Sequence, residues 1–439
     1  MNKENTLIPE LRFPEFENED TWKAKPLEEI CTLVRGPFGG ALKKEIFVDE
    51  GFAVYEQSHA IYGDFSSFRY RINEEKYKEL KRFSVKSGDL IMSCSGTMGK
   101  FAMIPKYYEQ GVINQALLKL TVKKNYDNFF VKISLETEEN QNKLLSQSAG
   151  GAIKNVVAVS QIRELELAMP SLLEQQKIAN SIFSLDEVIE AHIQRLDLLN
   201  DHKKGLMQNL FPQKGEKKPK QRFLKFENDE EWIQTSLGKV YKFYVTNSFS
   251  RDNLNYETGS VKNIHYGDIH MKYPTLFDIT NEDVPFINED VSIDKIKEDS
   301  YCVEGDVIFA DASEDLNDIG KSIEIVNLNG EKIVSGLHTL LARQKKSQLA
   351  IGFGGYLFKS AWIRKQIQRE SQGAKVLGIS ATRISEILIA FPKNKKEQQK
   401  IASCLSALDE LITLQTKKID QLRLHKKGLM QSLFPKMND

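Results

Sequence analysis

Two segments of the chain are nearly identical and end in the same way. HKKGLMQNLFP occupies 202–212 and HKKGLMQSLFP occupies 425–435, with a single difference between them. EQQKIA at 174–179 recurs at 397–402 with the same offset of 223 residues, so no residue has been gained or lost in between. A helix that keeps one face on a partner needs such a constant length, because one deleted residue rotates everything beyond it by about 100°. The repeat therefore predicts two equivalent long helices.

Apolar residues in both copies follow alternating spacings of four and three, which is the heptad pattern of a coiled-coil seam. The seam residues are Ile178, Ile182, Leu185, Ile189, Leu196, Leu199, Leu206 and Leu210 in the first copy, and Ile401, Leu405, Leu408, Ile412, Ile419, Leu422, Leu429 and Leu433 in the second. Polar residues fill the remaining slots, His192 and Lys203 in one copy and Gln415 and Lys426 in the other. Because so narrow an apolar stripe does not stabilise a lone helix, we expect an antiparallel intramolecular coiled coil. This pairing would relate the two halves by a pseudo-twofold axis in a circular arrangement, and a coiled coil between chains is the alternative.

Helix-boundary signals flank both copies. Ser171-x-x-Glu174 and Asn394-x-x-Glu397 match the capping box, and a proline follows each copy of LF and ends the helix. We therefore expect each helix to be about 40 residues long, or roughly 60 Å.

A glycine lies off the seam near the end of each helix. Gly205 and Gly428 occupy equivalent positions, although glycine inside a helix costs about 1 kcal/mol relative to alanine. Their presence in both copies indicates either close approach of another backbone, which would make them docking positions for a partner, or a local bend.

The rest of the chain repeats with a drifting offset. RFPEFEN at 12–18 matches RFLKFEN at 222–228 at an offset of 210, whereas the segment at 151–170 matches 373–392 at 222. Short alternating or aromatic-rich runs, such as 112–122, predict β-rich α+β domains. QKGEKKPKQRF between the halves predicts a flexible basic linker. The predicted organisation is a domain at 1–170, a spacer helix at 171–212, a second domain at 213–392 and a second helix at 393–439.

Composition excludes several classes of protein. Lys plus Arg equals Asp plus Glu at 61 each, so the chain lacks the global positive charge of many free-standing DNA binders. The four cysteines are far apart and predict neither a zinc ribbon nor a disulfide framework. The absence of a signal sequence and of any apolar run of roughly 18 residues makes a cytoplasmic protein the expectation.

Candidate catalytic motifs fail on their spacing. SCSGTMGKF at 93–101 departs from the phosphate-loop pattern at Cys94 and Phe101, and GFGG at 352–355 lacks the context of a dinucleotide fingerprint. His265 and His270 do not have paired metal-ligand spacing. We therefore expect no catalytic residue, no metal site and no cofactor site on this chain.

Taken together, the paired EQQKIA…LD…KKGLMQ…LFP helices, the RFPEF…W and RFLKFEN…W elements, and GDLIMSCSGTMGK with its counterpart GDVIFADASEDLNDIGK resemble the DNA-specificity subunit of type I restriction-modification enzymes. NIHYGDI at 263–269 is also similar to stretches of such subunits, and the resemblance covers essentially the whole chain. It implies two target recognition domains, each reading one half of a bipartite double-stranded DNA site. It also implies that the helices set the spacing and dock two methyltransferase subunits, which bind S-adenosylmethionine.

The same resemblance implies that restriction subunits, which use ATP and Mg²⁺, join the complex. The chain itself would have no active site, whereas the full complex would be a DNA adenine methyltransferase and an ATP-dependent endonuclease. Two alternatives stay open, a fused restriction–methylation enzyme and a coiled-coil scaffold.

Base and phosphate contacts require basic or polar side chains at groove edges. In the first domain the candidates are Arg35, Lys43, Lys44, Gln57, His59, Tyr62, Ser95, Thr97, Lys100 and Lys154. In the second domain they are Asn247, Ser248, Arg251, Lys262, Asn263, His265, Tyr266, Ser313, Lys321, His338 and Lys375.

Overall fold

The computed structural model describes residues 7–38, 40–146 and 159–437, and its contacts divide the chain into two units. Unit 1 comprises Met1–His192 and Lys418–Asp439, and unit 2 comprises Ile193–Lys417. Both units are mixed α+β, as the sequence predicts. The units divide each long helix because the two parts of a helix pack on different domains. The predicted domain boundaries stay a prediction.

The first half of the chain contains two four-stranded sheets. Its helices are α1 (Leu27–Ile30), α2 (Gln57–Tyr62), α3 (Glu74–Glu79), α4 (Asn128–Leu135), α5 (Glu138–Ser146), α6 (Val159–Glu164) and α7 (Leu172–Asn209). Its strands are β1 (Lys23–Pro26), β2 (Cys31–Arg35), β3 (Phe47–Val48), β4 (Phe52–Tyr55), β5 (Arg71–Ile72), β6 (Leu90–Ser93), β7 (Phe101–Met103), β8 (Gly111–Ile113), β9 (Leu117–Val122) and β10 (Glu166–Met169). The sheet orders are β2-β9-β6-β7 and β3-β5-β4-β8, and β1 pairs with β10 where the domain meets α7.

The second half repeats this plan with additions. Its helices are α8 (Leu237–Val240), α9 (Tyr266–Met271), α10 (Phe353–Leu357), α11 (Ala361–Glu370), α12 (Ala381–Glu386) and α13 (Lys395–Leu433). Its strands are β11 (Ile233–Ser236), β12 (Tyr241–Tyr244), β13 (Leu254–Asn255), β14 (Lys262–Ile264), β15 (Leu276–Asp278), β16 (Phe286–Ile287), β17 (Val307–Ala310), β18 (Ala312–Ser313), β19 (Ser322–Asn327), β20 (Ile333–Ser335), β21 (Thr339–Gln344), β22 (Leu377–Gly378) and β23 (Leu388–Phe391). The orders β12-β21-β17-β19-β15 and β13-β16-β14-β20 correspond to the two sheets of the first domain, and β15 is an added edge strand.

A tight turn divides the run predicted at 112–122 into β8 and β9. Asn114 Oδ1 accepts the backbone N–H of Ala116 at 3.0 Å, which is the local hydrogen bond of an Asx turn. The corresponding turn between β20 and β21 contains His338, whose φ of 53° is in the left-handed region. Both turns therefore have a fixed backbone shape.

Glu174 joins α7 to the beginning of the chain. Its carboxylate accepts from Arg12 Nε and Nη2, both at 2.8 Å, and Trp22 Nε1 donates to it at 3.3 Å. The Arg12 and Glu174 side chains are only 9% and 1% exposed. Ser171 Oγ accepts the Glu174 backbone N–H at 3.3 Å, as a capping box requires. The second hydrogen bond of the predicted capping box, from the Ser171 backbone N–H to the Glu174 carboxylate, is wrong, because this carboxylate binds Arg12 and Trp22 instead.

An equivalent ion pair occurs in unit 2. Arg222 Nε and Nη2 each donate to Glu397 at 2.6 Å, and these side chains are 7% and 0% exposed. The Glu397 side chain is likewise not available to complete a capping box. The recurrence of RF and EQQKIA therefore has one cause, because the arginine of the first motif binds the glutamate of the second in each unit.

Each unit contains one lysine–aspartate pair between α7 and α13. In unit 1, Lys426 Nζ donates to both carboxylate oxygens of Asp186, at 2.5 and 2.7 Å. In unit 2, Lys203 donates to Asp409. Because the LD and KK repeats are both offset by 223 residues, the same two motifs pair twice with exchanged roles. Every predicted seam residue is buried or half-buried.

The phenylalanine of each LFP repeat enters a domain core. Phe434 packs edge-on against Trp22 with ring centroids 6.0 Å apart in unit 1, and Phe211 does the same with Trp232 at 6.2 Å in unit 2. The repeated tail therefore ends by anchoring a helix to the core of each domain.

The predicted flexible linker at 213–223 is wrong. Its backbone carbonyl at Lys217 accepts the N–H of Trp232 at 2.9 Å, and Gln221 N–H donates to Asn209 O at 2.9 Å. Trp22 N–H donates to Leu7 O in the same way. Residues 217–223 are thus the start of the second repeat, equivalent to 7–13, and hydrogen bonds fix them to unit 2.

Candidate nucleic-acid interface

Four segments of the first domain meet at one edge of its sheets. They are the end of β2, the start of α2, the loop after β6 and the β8–β9 turn. Arg35 Nε donates to Gln115 O at 3.1 Å. Ser95 Oγ donates to Gln57 Oε1 at 3.0 Å, and the Gln57 amide also donates to the carbonyls of Ser95 and Thr97. The edge therefore has a polar surface whose side chains are held by one another.

The same four segments meet in the second domain with different side chains, and the segment after β12 reaches the end of β20 through Asn247 N–H, which donates to Ser335 O at 3.1 Å. Tyr266 at the start of α9 donates its backbone N–H to Leu337 O at 3.3 Å in the β20–β21 turn. The Tyr266 ring centroid is 5.2 Å from that of His338, and His338 Nδ1 is 3.1 Å from Asp311 Oδ1. His270 Nε2 is 3.0 Å from Ala312 O in β18, the short strand that follows β17. Aromatic and imidazole rings thus occupy the edge that Gln57 and Ser95 occupy in the first domain.

The structure separates the predicted contact residues by exposure. Those exposed to solvent are Lys43, Lys44, Tyr62, Thr97, Lys100, Ser248, Arg251, His338 and Lys375. Those half-buried are Arg35, Gln57, Ser95, Asn247, Lys262, Tyr266, Ser313 and Lys321. Those buried are His59, Asn263 and His265, and Lys154 lies outside the described residues.

The three buried residues make hydrogen bonds that position the edge. His59 is 4% exposed, and its Nδ1 accepts the N–H of Glu56, which fixes the start of α2. Asn263 is fully buried and donates to Asn247 Oδ1 at 3.0 Å. His265 Nδ1 accepts the N–H of Gly267 at 3.1 Å and caps α9. The base contacts predicted for His59, Asn263 and His265 stay a prediction, and in this structure their side chains hold the backbone of the edge.

Two predicted lysines have intramolecular partners. Lys262 forms an ion pair with Glu331 at 2.6 Å, and its Nζ lies 5.0 Å from the centre of the Phe286 ring. Lys321 Nζ donates to His270 O at 2.7 Å, which fixes the end of α9. Both lysines therefore serve the fold of the domain in the absence of DNA.

Burial and a neighbouring charge both lower the pKa of His265. Burial is the larger cause, and the positive charge of Arg251 adds to it. Arg251 is exposed and pairs with the buried carboxylate of Asp268. The His265 imidazole is thus neutral at pH 7. The charged side chains near it are those of the Arg251–Asp268 pair.

Sequence reasoning missed Asp268 and the cavity beside α2. This cavity, of about 470 Å³, is lined by Gln57, Ser67, Arg69 and Asn114 among others. Asp268 follows the capping histidine of α9 by three residues, which is a local signal for a helix-start carboxylate. Arg69 had no such signal, because only the folded chain brings it beside α2.

The glycines of GFGG serve a buried glutamate. Gly355 N–H donates to Glu324 Oε2 at 2.7 Å, and Glu324 is fully buried. Burial raises the pKa of Glu324 to about 7, against the opposing effect of hydrogen bonds from the backbones of Gly355, Gly352 and Gly354. The amides that could have bound a phosphate thus face an internal carboxylate.

The described residues contain neither a metal-ion cluster nor a membrane-spanning helix. No group of three or more His, Cys, Asp or Glu side chains in 7–38, 40–146 and 159–437 could hold a metal ion. Within the same ranges, no helix is long and apolar enough to cross a membrane.

Comparisons with known proteins agree with this architecture. The family model described as type I restriction modification DNA specificity domain matches residues 19–200 and 278–424. The type I restriction enzyme MjaVIII specificity subunit of Methanocaldococcus jannaschii is 24% identical over 97% of this chain and 93% of its own length.

Two solved structures share the fold. The S subunit of a type I restriction-modification system from M. genitalium superposes with a TM-score of 0.58 at 15% identity, covering 98% of this chain and all of that one. A chain from a structural study of type I R-M complex assembly and conformational transition has a TM-score of 0.53 at 14% identity, covering 94% of this chain and 97% of that one. Together with the family match over most of its length, these findings show that the chain belongs to the type I restriction-modification DNA-specificity family.

Proposed function

We propose that each recognition domain reads one part of an interrupted DNA sequence and that the long helices set the distance between the two parts. As a member of the specificity family, the chain acts in DNA sequence recognition within type I restriction-modification. The observation that carries the proposal is the pair of equivalent edges, which share four backbone segments but present different side chains. Two different readers on one repeated framework suit an asymmetric bipartite site.

The helix contacts support a fixed spacing. The Asp186–Lys426 pair in unit 1 and the Lys203–Asp409 pair in unit 2 each join α7 to α13, which supports the proposed antiparallel pairing of the two helices. Continuous pairing along the seam would form an intramolecular antiparallel coiled coil of roughly 60 Å. Since a turn of DNA is about 34–36 Å, such a spacer is long enough to separate two major-groove contacts.

Partner subunits would supply the chemistry. We infer that two methyltransferase subunits dock on the helices and bring S-adenosylmethionine, and that restriction subunits bring the use of ATP and Mg²⁺. The equal numbers of acidic and basic residues favour this division, because a partner that clamps phosphates can supply the salt-dependent affinity that a neutral chain lacks.

Mapping methylated adenines tests the proposal. Cells would express the full chain with its methyltransferase partner, and genomic DNA would be sequenced for modified bases. We expect a single motif of two defined parts separated by a gap of constant length. Methylation without such a motif would favour a scaffold, and methyl transfer by the isolated chain would favour a fused enzyme.

Lys43 and Lys44 provide a prediction about phosphate binding. Both are exposed and lie between the end of β2, which is one of the four edge segments, and β3. Replacing each with alanine should reduce the slope of log affinity against log salt by about 0.9 for each phosphate that the chain no longer neutralises. Lys124→Ala is the matched control, because Lys124 is exposed beyond the opposite end of β9. Equal slopes for the double variant and the control would remove the two lysines from the interface.

Gly205 and Gly428 provide a prediction about docking. A Cβ added at either glycine would meet no heavy atom within 4 Å apart from the backbone of its own helix. Gly205→Ala and Gly428→Ala should therefore each stabilise the isolated chain by about 1 kcal/mol in chemical unfolding. If the glycines receive a partner backbone, the same changes should weaken methyltransferase binding. Asn200→Ala, on an exposed part of α7, should leave binding unchanged, and undiminished assembly of the double glycine variant would contradict docking there.

A further inference from the structure

We propose that Arg251 reads a guanine in the half-site of the second recognition domain and that Asp268 is the positioning residue for this contact. The inference rests on the proposed function and adds the base and the atoms that recognise it. Guanine presents two adjacent acceptors in the major groove, O6 and N7, which match two parallel N–H donors of a guanidinium.

One end of the Arg251 guanidinium is fixed, and the side chain remains half exposed. Nη2 donates to Asp268 Oδ1 at 2.9 Å, and the two side chains are 47% and 2% exposed, respectively. Lys272 Nζ lies 3.9 Å from the same oxygen. This arrangement lowers the entropy cost of placing an arginine against a base, because the side chain is held before DNA arrives.

The Arg251–Asp268 ion pair lacks the full set of hydrogen bonds expected of a stabilising buried ion pair. Asp268 Oδ2 is buried and has no hydrogen-bond partner among the described residues. A buried carboxylate with an unsatisfied oxygen costs free energy, and buried ion pairs are in general weak contributors to stability. Conflicts of this kind concentrate at functional sites.

The neighbouring glycine leaves room for the guanidinium. A Cβ at Gly267 would lie 3.1 Å from Arg251 Nη2, which is tighter than most Cβ contacts, and 3.4 Å from His265 Nδ1, which is an ordinary van der Waals distance. Gly267 and Asp268, at the start of α9, thus both lie against the end of Arg251, and His265 is the residue that caps this helix.

The other arginines of this domain are engaged elsewhere. Arg222 is bound to Glu397, Arg343 makes two hydrogen bonds to buried Asp306, and Arg364 donates to the carbonyls of Asn317, Ile319 and Gly320. Arg369 and Arg383 lie beside Glu370. Among the described arginines of 213–392, Arg251 is the one that borders the α9 edge and combines a buried carboxylate partner with an exposed side chain.

The first domain differs at the equivalent place. A one-turn 3-10 helix precedes β3 at Lys44–Ile46 and β13 at Arg251–Asn253, so Lys44 corresponds to Arg251. The third residue of α2 is buried His59, whereas the third residue of α9 is Asp268. The arginine–carboxylate pair is thus specific to the second domain. A residue that reads a base in only one half-site should occur in only one of the two domains.

The test compares methylation motifs of the wild-type chain, Arg251→Gln and Asp268→Asn, each expressed with the methyltransferase partner. We expect one G·C position of one half-site to lose its preference by roughly 5- to 150-fold in Arg251→Gln, with the other half-site unchanged. Asp268→Asn keeps the shape of the side chain and should relax the same position. Arg369→Gln, an exposed arginine paired with Glu370, is the control and should leave the motif unchanged.

Changing the DNA instead of the protein gives a measurement that does not depend on whether a variant folds. The wild-type complex would be titrated with duplexes in which 7-deazaguanine, which lacks the N7 acceptor, replaces each guanine of the motif in turn. Loss of affinity at the position relaxed by Arg251→Gln, and no further loss when the variant and the analogue are combined, would support the contact.

Opposite outcomes separate this inference from the proposed function. A wild-type bipartite motif together with uniform weakening of all sites in Arg251→Gln would identify a phosphate contact and overturn the guanine assignment alone. Insensitivity of the wild-type complex to every 7-deazaguanine would overturn it as well. Failure of the wild-type chain to direct any bipartite motif would instead overturn the proposed function.

Discussion

Glu397→Gln should lower the free energy of unfolding by about 3–5 kcal/mol, because it leaves the Arg222 guanidinium charged and buried without its partner. The pair has two hydrogen bonds of 2.6 Å and almost no exposure, so solvent cannot replace the carboxylate. Glu174→Gln should have a similar effect on unit 1 through Arg12. Chemical denaturation followed by circular dichroism and tryptophan fluorescence measures both.

A double variant and a surface variant serve as controls. Arg222→Met combined with Glu397→Leu removes both charges and should recover most of the stability, since an apolar pair of similar volume needs no partner. Glu15→Gln breaks the Lys177–Glu15 pair, in which both side chains are about half exposed, and should cause no measurable loss. If Glu397→Gln unfolded no more easily than Glu15→Gln, the ion pair would not be what fastens α13 to the second domain.

Glu324→Gln should make the chain more stable at pH 8 by about 3 kcal/mol and should change little at pH 4. The pKa of Glu324 is raised from 4.5 to about 7, chiefly by burial. Between these values the unfolded chain releases a proton that the folded chain keeps. Stability is therefore fully present below about pH 4.5 and falls as the pH rises to about 7, by about 1.4 kcal/mol for each unit by which the pKa is raised.

Glutamine keeps the shape of the side chain and one oxygen that can accept the Gly355 N–H. The informative quantity is the difference between the pH profiles of wild type and variant in urea unfolding, because other titrating groups cancel in it. Parallel profiles from pH 4 to pH 8 would show that Glu324 ionises as readily in the folded chain as in the unfolded one.

The long helices could be predicted from sequence because their signal is long and periodic. About five heptads of apolar spacing, repeated at constant length, leave few alternatives. The partner of Glu174 could not be read from the local pattern, because Arg12 is 162 residues away in the chain. The RF and EQQKIA motifs recur together, which is a sign that they contact each other. The capping-box pattern offered a local explanation for Glu174, so the contact with Arg12 was not predicted.

The two candidate edges were harder to predict, because a polar residue in a turn can either face solvent or hold the local backbone. His59 and His265 look like surface residues in the sequence, yet both are buried and hold the start of a short helix. Arg251 and Lys43 also lie in polar segments between strands, yet their side chains are exposed. Which of the two uses a side chain has depends on contacts between segments tens of residues apart, such as Tyr266 with the β20–β21 turn.

The hydrogen bond from Leu11 N–H to Ser432 O, 2.9 Å long, has its equivalent in the bond from Gln221 to Asn209. In unit 2 a continuous peptide joins the two bonded segments, whereas in unit 1 they belong to opposite ends of the described chain. The order of the two halves along the gene is therefore not imposed by the fold. A circularly permuted chain, opened within 213–216 and with residues 437 and 7 joined by a short peptide, should keep the described contacts within each unit.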